Sequence, residues 1–295
     1  MQRLRFNGHD CVELQNENLS LVIAQSIGPR ILSLKHPGGA NLLAELPDFI
    51  TECEKVGTYH FYGGHRLWHA PEDTTRSYIP DNQPVELTAI ENGVKLVQTV
   101  EQLTGIQKSM EITLSGKHPQ ITIKHEIHNQ GLWPIECAAW AITQLRPGGV
   151  VILPLSQAWT NKLPNRSIAI WPYTDMSSPM IHWRKDRLEV QATISDGMFK
   201  IGFPNPRGWL AYWSEDTLFV KRAAYFDRES YCDMGSSSEC YINDQFIELE
   251  TLSPMRRLEP GDAILHVETW ELHQGIACPE TEEAFHELAS QLGLE

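Results

Sequence analysis

GVKLVQTV (93–100), IQKSMEITLS (106–115) and ITIKHEIHN (121–129) decide the fold class. Each run alternates apolar and polar residues with a period of two, the signature of a half-buried strand. SGKHPQ and HNQG stand where turns are needed, so the three runs read as consecutive antiparallel strands. In the third run Ile121, Ile123 and Ile127 share one face, and His125 belongs to that face. Lys124, Glu126 and His128 point the other way.

The same pattern spreads outward. LSLVIAQ (19–25) and RILSLKH (30–36) flank Gly28-Pro29. GWLAYWSEDTLFVKRAAY (208–225) reads as a hairpin with Ser214-Glu215-Asp216 near its tip. QFIELETL (245–252) and AILHVETWEL (263–272) are two further strands, separated by the turn cluster SPMRRLEPGD. The tail PETEEAFHELASQLGLE alone has a helical look, with acidic residues at its start. Many short strands without βαβ alternation predict an all-β, large antiparallel sandwich with a short C-terminal helix. No Pro/Ser linker divides the chain, so one domain over 1–295 is expected.

Bulk chemistry narrows the partners. Thirty-eight acidic residues stand against 24 basic ones, a formal net charge of -14. That field repels a phosphate backbone and an anionic bilayer, so neither nucleic acid nor membrane is an expected partner. The N-terminus has no signal-like apolar core. The six cysteines are scattered and form no C-x-x-C pair, which suggests reduced thiols and a cytoplasmic home. P-loop, G-x-G-x-x-G and EF-hand patterns are all missing, and no cofactor is implied.

Three stretches carry candidate chemistry. YHFYGGHRLWHAPED (59–73) places His60, His65, Arg66, Trp68, His69, Glu72 and Asp73 around Gly63-Gly64. Read as a loop, it offers hydrogen-bonding groups for sugar hydroxyls and an indole to stack on a pyranose. Adjacent glycines allow close backbone approach. A metal site built from these histidines and Glu72 is the lesser reading, because the spacing is not H-E-x-x-H and the segment does not look helical. In FIELETLSP (246–254), Phe246, Glu248 and Glu250 share one face of a strand, which could hold a general base or simply face solvent. KRAAYFDRESYCDMGSSSECY (221–241) supplies Lys221, Arg222, Asp227, Asp233 and Glu239, with a plain polar loop as the competing reading. His125, His128 and Gln144 look like buried polar residues, and a lone His on an apolar strand face is usually a satisfied core group.

With YGGHRLWHAPE (62–72), RSIAIWPYTD (166–175) and ELETLSPMRRLEPGDAILHVETWEL (248–272) on the page, the chain resembles the galactose-mutarotase-like superfamily. It is most similar to an uncharacterised branch known only as a domain of unknown function, DUF4380. The resemblance implies a sugar held on the concave face of a β-supersandwich, no cofactor, and no metal. It implies that Glu250, in Leu249-Glu250-Thr251, is the general base of an aldose 1-epimerase-like isomerisation, with Glu248 second. The family's general-acid histidine has no counterpart, since Trp140 stands near its expected place. His65 is the first substitute, with His69, His125 or His128 as others. Arg66 is carried over as a substrate-binding arginine, and Trp68, His69, Glu248, Lys221, Asp233 and Glu239 are further expected contacts to a small-molecule carbohydrate. A sugar-binding domain without chemistry, and a lyase or hydrolase using both glutamates, are the alternatives. A phosphorylated sugar held by Arg66, Lys221 and Arg222 is a side possibility, with ordinary surface cations as the favoured reading of those residues.

Overall fold

A computed structural model describes residues 1–193 and 197–294. Two large sheets dominate, and every strand pair in them is antiparallel. The first sheet runs β1 (Gln2–Phe6), β2 (His9–Gln15), β3 (Ser20–Ala24), β4 (Arg30–Lys35), β7 (His65–Ala70), β12 (Ile135–Leu145), β21 (Ile247–Leu252), β20 (Ser238–Ile242), β17 (Phe199–Phe203) and β14 (Ala169–Ile170). A short strand, β22 (Arg256–Leu258), pairs with the start of β12.

The second sheet runs β15 (Ile181–Trp183), β16 (Arg187–Gln191), β13 (Val150–Pro154), β18 (Trp209–Ser214), β19 (Thr217–Ala223), β23 (Ala263–Gln274), β11 (Gln120–Asn129), β10 (Ile106–Leu114), β9 (Gly93–Val97) and β8 (Glu86–Ile90). A separate hairpin pairs β5 (Glu45–Cys53) with β6 (Gly57–Gly63).

The main core lies between the sheets, where inward residues of both interdigitate, among them Leu21, Ile31, Leu249, Ile112, Ile123 and Phe219. The strands expected at 93–129 pair as β9, β10 and β11. His125 is buried with Ile121, Ile123 and Ile127 as the alternation requires. The 208–225 stretch is the β18–β19 hairpin. The tail is a helix over Glu282–Gln291, whose Thr281 hydroxyl accepts from the Ala284 amide.

Two readings need correcting. SPMRRLEPGD is not turn alone, since it contains β22. The 59–73 segment is not a loop but two strands, β6 and β7, broken at Gly63-Gly64. Both glycines have positive φ, and a Cβ would sit 2.0 Å from Ala44 O at Gly63 and 2.0 Å from Ile31 O at Gly64. The close approach that the glycines permit is therefore to neighbouring backbone. It lets the chain leave the hairpin and enter the sheet within two residues.

Candidate functional site

Strand alternation gives the first sheet two chemically different faces. Along β7, Arg66 and Trp68 point outward, away from the second sheet, while His65, Leu67 and His69 point inward. Register carries this across: Arg66 lies opposite Ile142, Ile142 opposite Glu250, and Glu250 opposite Glu239. His65 lies opposite Thr143, and Thr143 opposite Leu249. Glu250 and His65 therefore stand on opposite faces of one sheet.

The outward face is roofed on one side by the β5–β6 hairpin, and a cleft of about 420 Å³ opens there. Its walls are aromatic: Phe61, Trp68, Trp140, Trp171, Tyr173 and Tyr241 all line it. Arg30, fully buried, anchors the hairpin. It donates to the Phe61 carbonyl at 2.6 Å and to the Tyr59 hydroxyl at 2.9 Å, and pairs with Asp81 at 2.7 Å. The same Tyr59 oxygen accepts from the Trp68 indole at 2.9 Å.

Two polar groups sit among these rings. In the first, Arg66 donates to Glu248 Oε1 at 3.0 Å and Gln144 Nε2 donates to the same oxygen at 3.0 Å. The Arg66 guanidinium packs over the Trp68 ring at 4.4 Å. Its Nε and one terminal nitrogen are buried with no hydrogen-bond partner among the described residues. Burial raises the Glu248 carboxyl above its ordinary range; Arg66 opposes this and Glu250 adds to it.

In the second group Lys200 sits between Glu250, at 3.1 Å, and Glu239, at 2.8 Å. Its ammonium lies 4.7 Å from the Trp140 ring centroid and 4.9 Å from that of Trp171. Burial alone would lower the Lys200 pKa, but Glu250 and Glu239 hold it well above its usual value. Burial also pushes the Glu239 carboxyl far up, with Lys200 opposing and Glu250 adding. Gly202 makes room for this carboxyl, since a Cβ there would meet Ser236 Oγ at 2.4 Å and Glu239 Cγ at 3.2 Å.

Glu248 lines the cleft, whereas Glu250 is fully buried beneath its floor. The Trp140 indole donates to Glu250 Oε2 at 2.7 Å, and Lys200 covers the same oxygen. Trp140, near the place expected for an acid histidine, thus clamps the carboxylate that the resemblance proposed as base. No histidine stands among the described residues that line the cleft.

His65, His125 and His266 belong to a buried network between the sheets. His125 Nδ1 must donate to the His266 carbonyl, 3.2 Å away, so a neutral His125 accepts at Nε2. His65 Nε2 then donates to it at 2.7 Å, and His65 Nδ1 accepts from the Thr143 hydroxyl at 2.9 Å. Lys221 donates to Thr143 Oγ1 at 3.0 Å and to the Ala141 and Leu249 carbonyls at 2.9 Å each. It pairs with Glu268 at 2.9 Å. Trp270 donates to the other Glu268 oxygen, and Thr251 bridges His266 and Glu268. Burial lowers the pKa values of His65, His125 and His266, with Glu268 opposing. Burial alone would raise Glu268, but Lys221 and then the imidazoles hold it low.

His65 and Lys221 are therefore interior struts that do not reach the cleft, which corrects the roles expected for them. His69 is also buried on the inward side. Asp233 lies in the turn Cys232–Gly235, outside the cleft lining, and Arg222 pairs with Glu271 and caps carbonyls at the end of the C-terminal helix. Arg66, Trp68 and Glu248 do line the cleft, and Glu239 lies under it.

The ligand set imagined at His60, His65, His69 and Glu72 is split by the strand geometry. His60 stacks on Tyr62, His65 and His69 face inward, and Glu72 faces the cleft. Among the described residues, ligand atoms of His65, His125 and Glu268 do lie within 4.8 Å of one another. The direct His65–His125 bond and the Lys221 ammonium occupy that space, so a cation is already in place.

Sequence reasoning passed over Lys200, Trp171, Tyr173 and Tyr241 as ligand-facing groups. The signal for Lys200 was a lone lysine inside FKIGF, a strand otherwise apolar.

The two-sheet arrangement, with a hairpin over its outer face, can be compared with solved structures. A galactose mutarotase-like protein from Lactobacillus casei superposes with a TM-score of 0.59 at 10% identity, over 89% of this chain and 100% of that one. The fold is that of the galactose-mutarotase-like proteins. The Slr1438 protein of Synechocystis sp. PCC 6803 shares it with a TM-score of 0.59 at 10% identity, over 93% and 100%. A galactose mutarotase related enzyme from Lactobacillus acidophilus shares it with a TM-score of 0.51 at 9% identity, over 92% and 100%. At such identities the likeness is one of fold. No family model and no curated protein matches the sequence, so the link to the uncharacterised branch rests on its motifs alone. Among the described residues no helix is long and apolar enough to cross a membrane.

Proposed function

We propose that this mutarotase-like chain binds a carbohydrate, one sugar ring at a time, in the cleft on the outer face of its first sheet. The observation that carries the reading is the composition of the cleft. Indole and phenol rings form its walls, and a bidentate-capable arginine and a carboxylate stand among them. A pyranose has an apolar face for the rings and hydroxyls for the arginine and the carboxylate. Saturable binding of an aldose, weakened on the order of ten-fold or more by Arg66→Ala, is the expected result. Binding that is indifferent to Arg66 and Trp68 would place the ligand elsewhere.

A second reading, isomerisation between anomers, is favoured by one observation. Glu248 meets the cleft, and its raised pKa makes it a better proton acceptor than an ordinary surface carboxylate. In this reading Glu248 takes the proton of the anomeric hydroxyl as the C1–O5 bond breaks and C1 becomes a carbonyl. The ring oxygen takes a proton from water in the open cleft while Arg66 hydrogen-bonds the sugar, and reclosure on the other face of C1 returns both protons. Glu250 serves as support for Lys200 and Trp140. Anomer exchange followed by NMR saturation transfer separates the readings. Exchange lost in Glu248→Gln makes the protein an isomerase, and binding without exchange makes it a sugar-binding domain. The alternative of a lyase or hydrolase working through Glu248 and Glu250 together draws no support, because Glu250 is engaged beneath the floor.

A further inference from the structure

We infer that the cleft is selective by charge: it takes neutral or amino sugars and rejects phosphorylated and uronic ones. The inference rests on the reading of the cleft as a sugar site and adds the class of sugar.

Arg66 and Lys200 are the cations among the described residues lining the cleft. Neither has charge to spare. Arg66 is matched by Glu248, and Lys200 is shared between Glu250 and Glu239. Glu72 is a further carboxylate on the lining and accepts from the neutral Tyr78 hydroxyl at 2.6 Å. Cleft and floor together therefore set two cations against four carboxyl groups. The other cations that a phosphate could recruit are out of reach. Lys221 lies between the sheets, and Arg222 is tied to Glu271 and to the end of the C-terminal helix.

A phosphate carries close to two negative charges near neutral pH and must shed water to enter an aromatic cleft. Among the described residues lining the cleft it would meet only an arginine whose charge Glu248 already matches and a lysine that two carboxyl groups already share, with Glu72 to oppose it. An ammonium group faces the opposite balance. Carboxylates and the electron-rich faces of the indole rings both attract it. The net charge of -14 acts in the same direction at longer range.

The test is a titration of the full chain at fixed ionic strength, read by tryptophan fluorescence. Glucose, galactose and mannose are each compared with their 2-amino, 6-phosphate and uronic forms. The expected result is that phosphate and uronate bind at least about ten-fold more weakly than the parent sugar, and the amino form no more weakly. The gap should narrow with added salt, and Glu72→Gln should narrow it for the 6-phosphate. A phosphate or uronate that binds as tightly as its parent, or more tightly, overturns the charge inference and leaves the sugar reading standing. No binding by any form defeats both.

Discussion

Two glutamates two positions apart on β21 have different work. Glu248 is held by Arg66 and Gln144 and reaches the cleft; Glu250 is held by Trp140 and Lys200 and does not. Glu248→Gln keeps an oxygen to accept both of those donors. It still removes the anion that matches the buried Arg66 guanidinium, so it should cost about 3 kcal/mol in urea unfolding as well as weaken sugar binding. Glu250→Gln removes one of the two carboxylate partners of a buried ammonium. It should cost roughly 3 kcal/mol in urea unfolding, with sugar affinity changed much less. If the Glu250 variant lost binding at unchanged stability, the assignment of roles would be reversed. Alternation within FIELETLSP was enough to put both carboxylates on one face, and they are there. Which of the two is open depends on Trp140 and Lys200, contributed by strands far away in sequence, and no local pattern encodes that. Gly64 is a further case. Only the fold reveals that its missing Cβ makes room for Ile31 O, and Gly64→Ala should cost about 3 kcal/mol or more by thermal unfolding.

At the scale of elements, β7 shows how one strand serves two purposes. Its even residues furnish the cleft and its odd residues bind the sheets together through His65. Reading 59–73 as a loop hid this, because a cluster of mixed polar residues does not reveal a two-residue period interrupted by glycines. Once the break at Gly63-Gly64 is recognised, the inward and outward sets separate. The β9–β11 run was legible because its turns and its alternation agree, and His125 followed its apolar neighbours inward. The pairing of Lys221 on β19 with Glu268 on β23 was not legible, since the two lie on strands distant in sequence and meet only in the folded sheet. Breaking that pair by Lys221→Met or Glu268→Gln should cost about 3–5 kcal/mol, and the double variant less than the sum. Urea midpoints of the three variants provide the check. Additive costs would mean that the two charges do not support each other.

For the whole molecule, the interior network predicts sensitivity to acid. Three imidazoles are buried neutral with pKa values below 6.5, that of His266 at about 3. When the chain unfolds below pH 6.5 they take up protons that the folded state refuses, so stability falls as pH falls. Each contributes a loss of about 1.4 kcal/mol per pH unit until its folded pKa is reached. Glu268 acts in the same direction at lower pH, because its depressed pKa gives stability above its ordinary value that is lost on acidification. Unfolding free energies between pH 7 and pH 4 should therefore drop steeply, and less steeply in His266→Phe if that variant folds. The chain has nine tryptophans, and this allows the central claim to be tested in one experiment. Trp68, Trp140 and Trp171 line the cleft, while Trp133, Trp159 and Trp183 are exposed elsewhere. Indole N–H signals in a two-dimensional NMR spectrum, assigned by substitution, should be followed as a panel of neutral aldoses is added. Shifts confined to the three cleft indoles are the expected result. Shifts at Trp159 or the other exposed indoles with the cleft signals still, or no shift with any sugar, would contradict a carbohydrate site on the outer face of the first sheet.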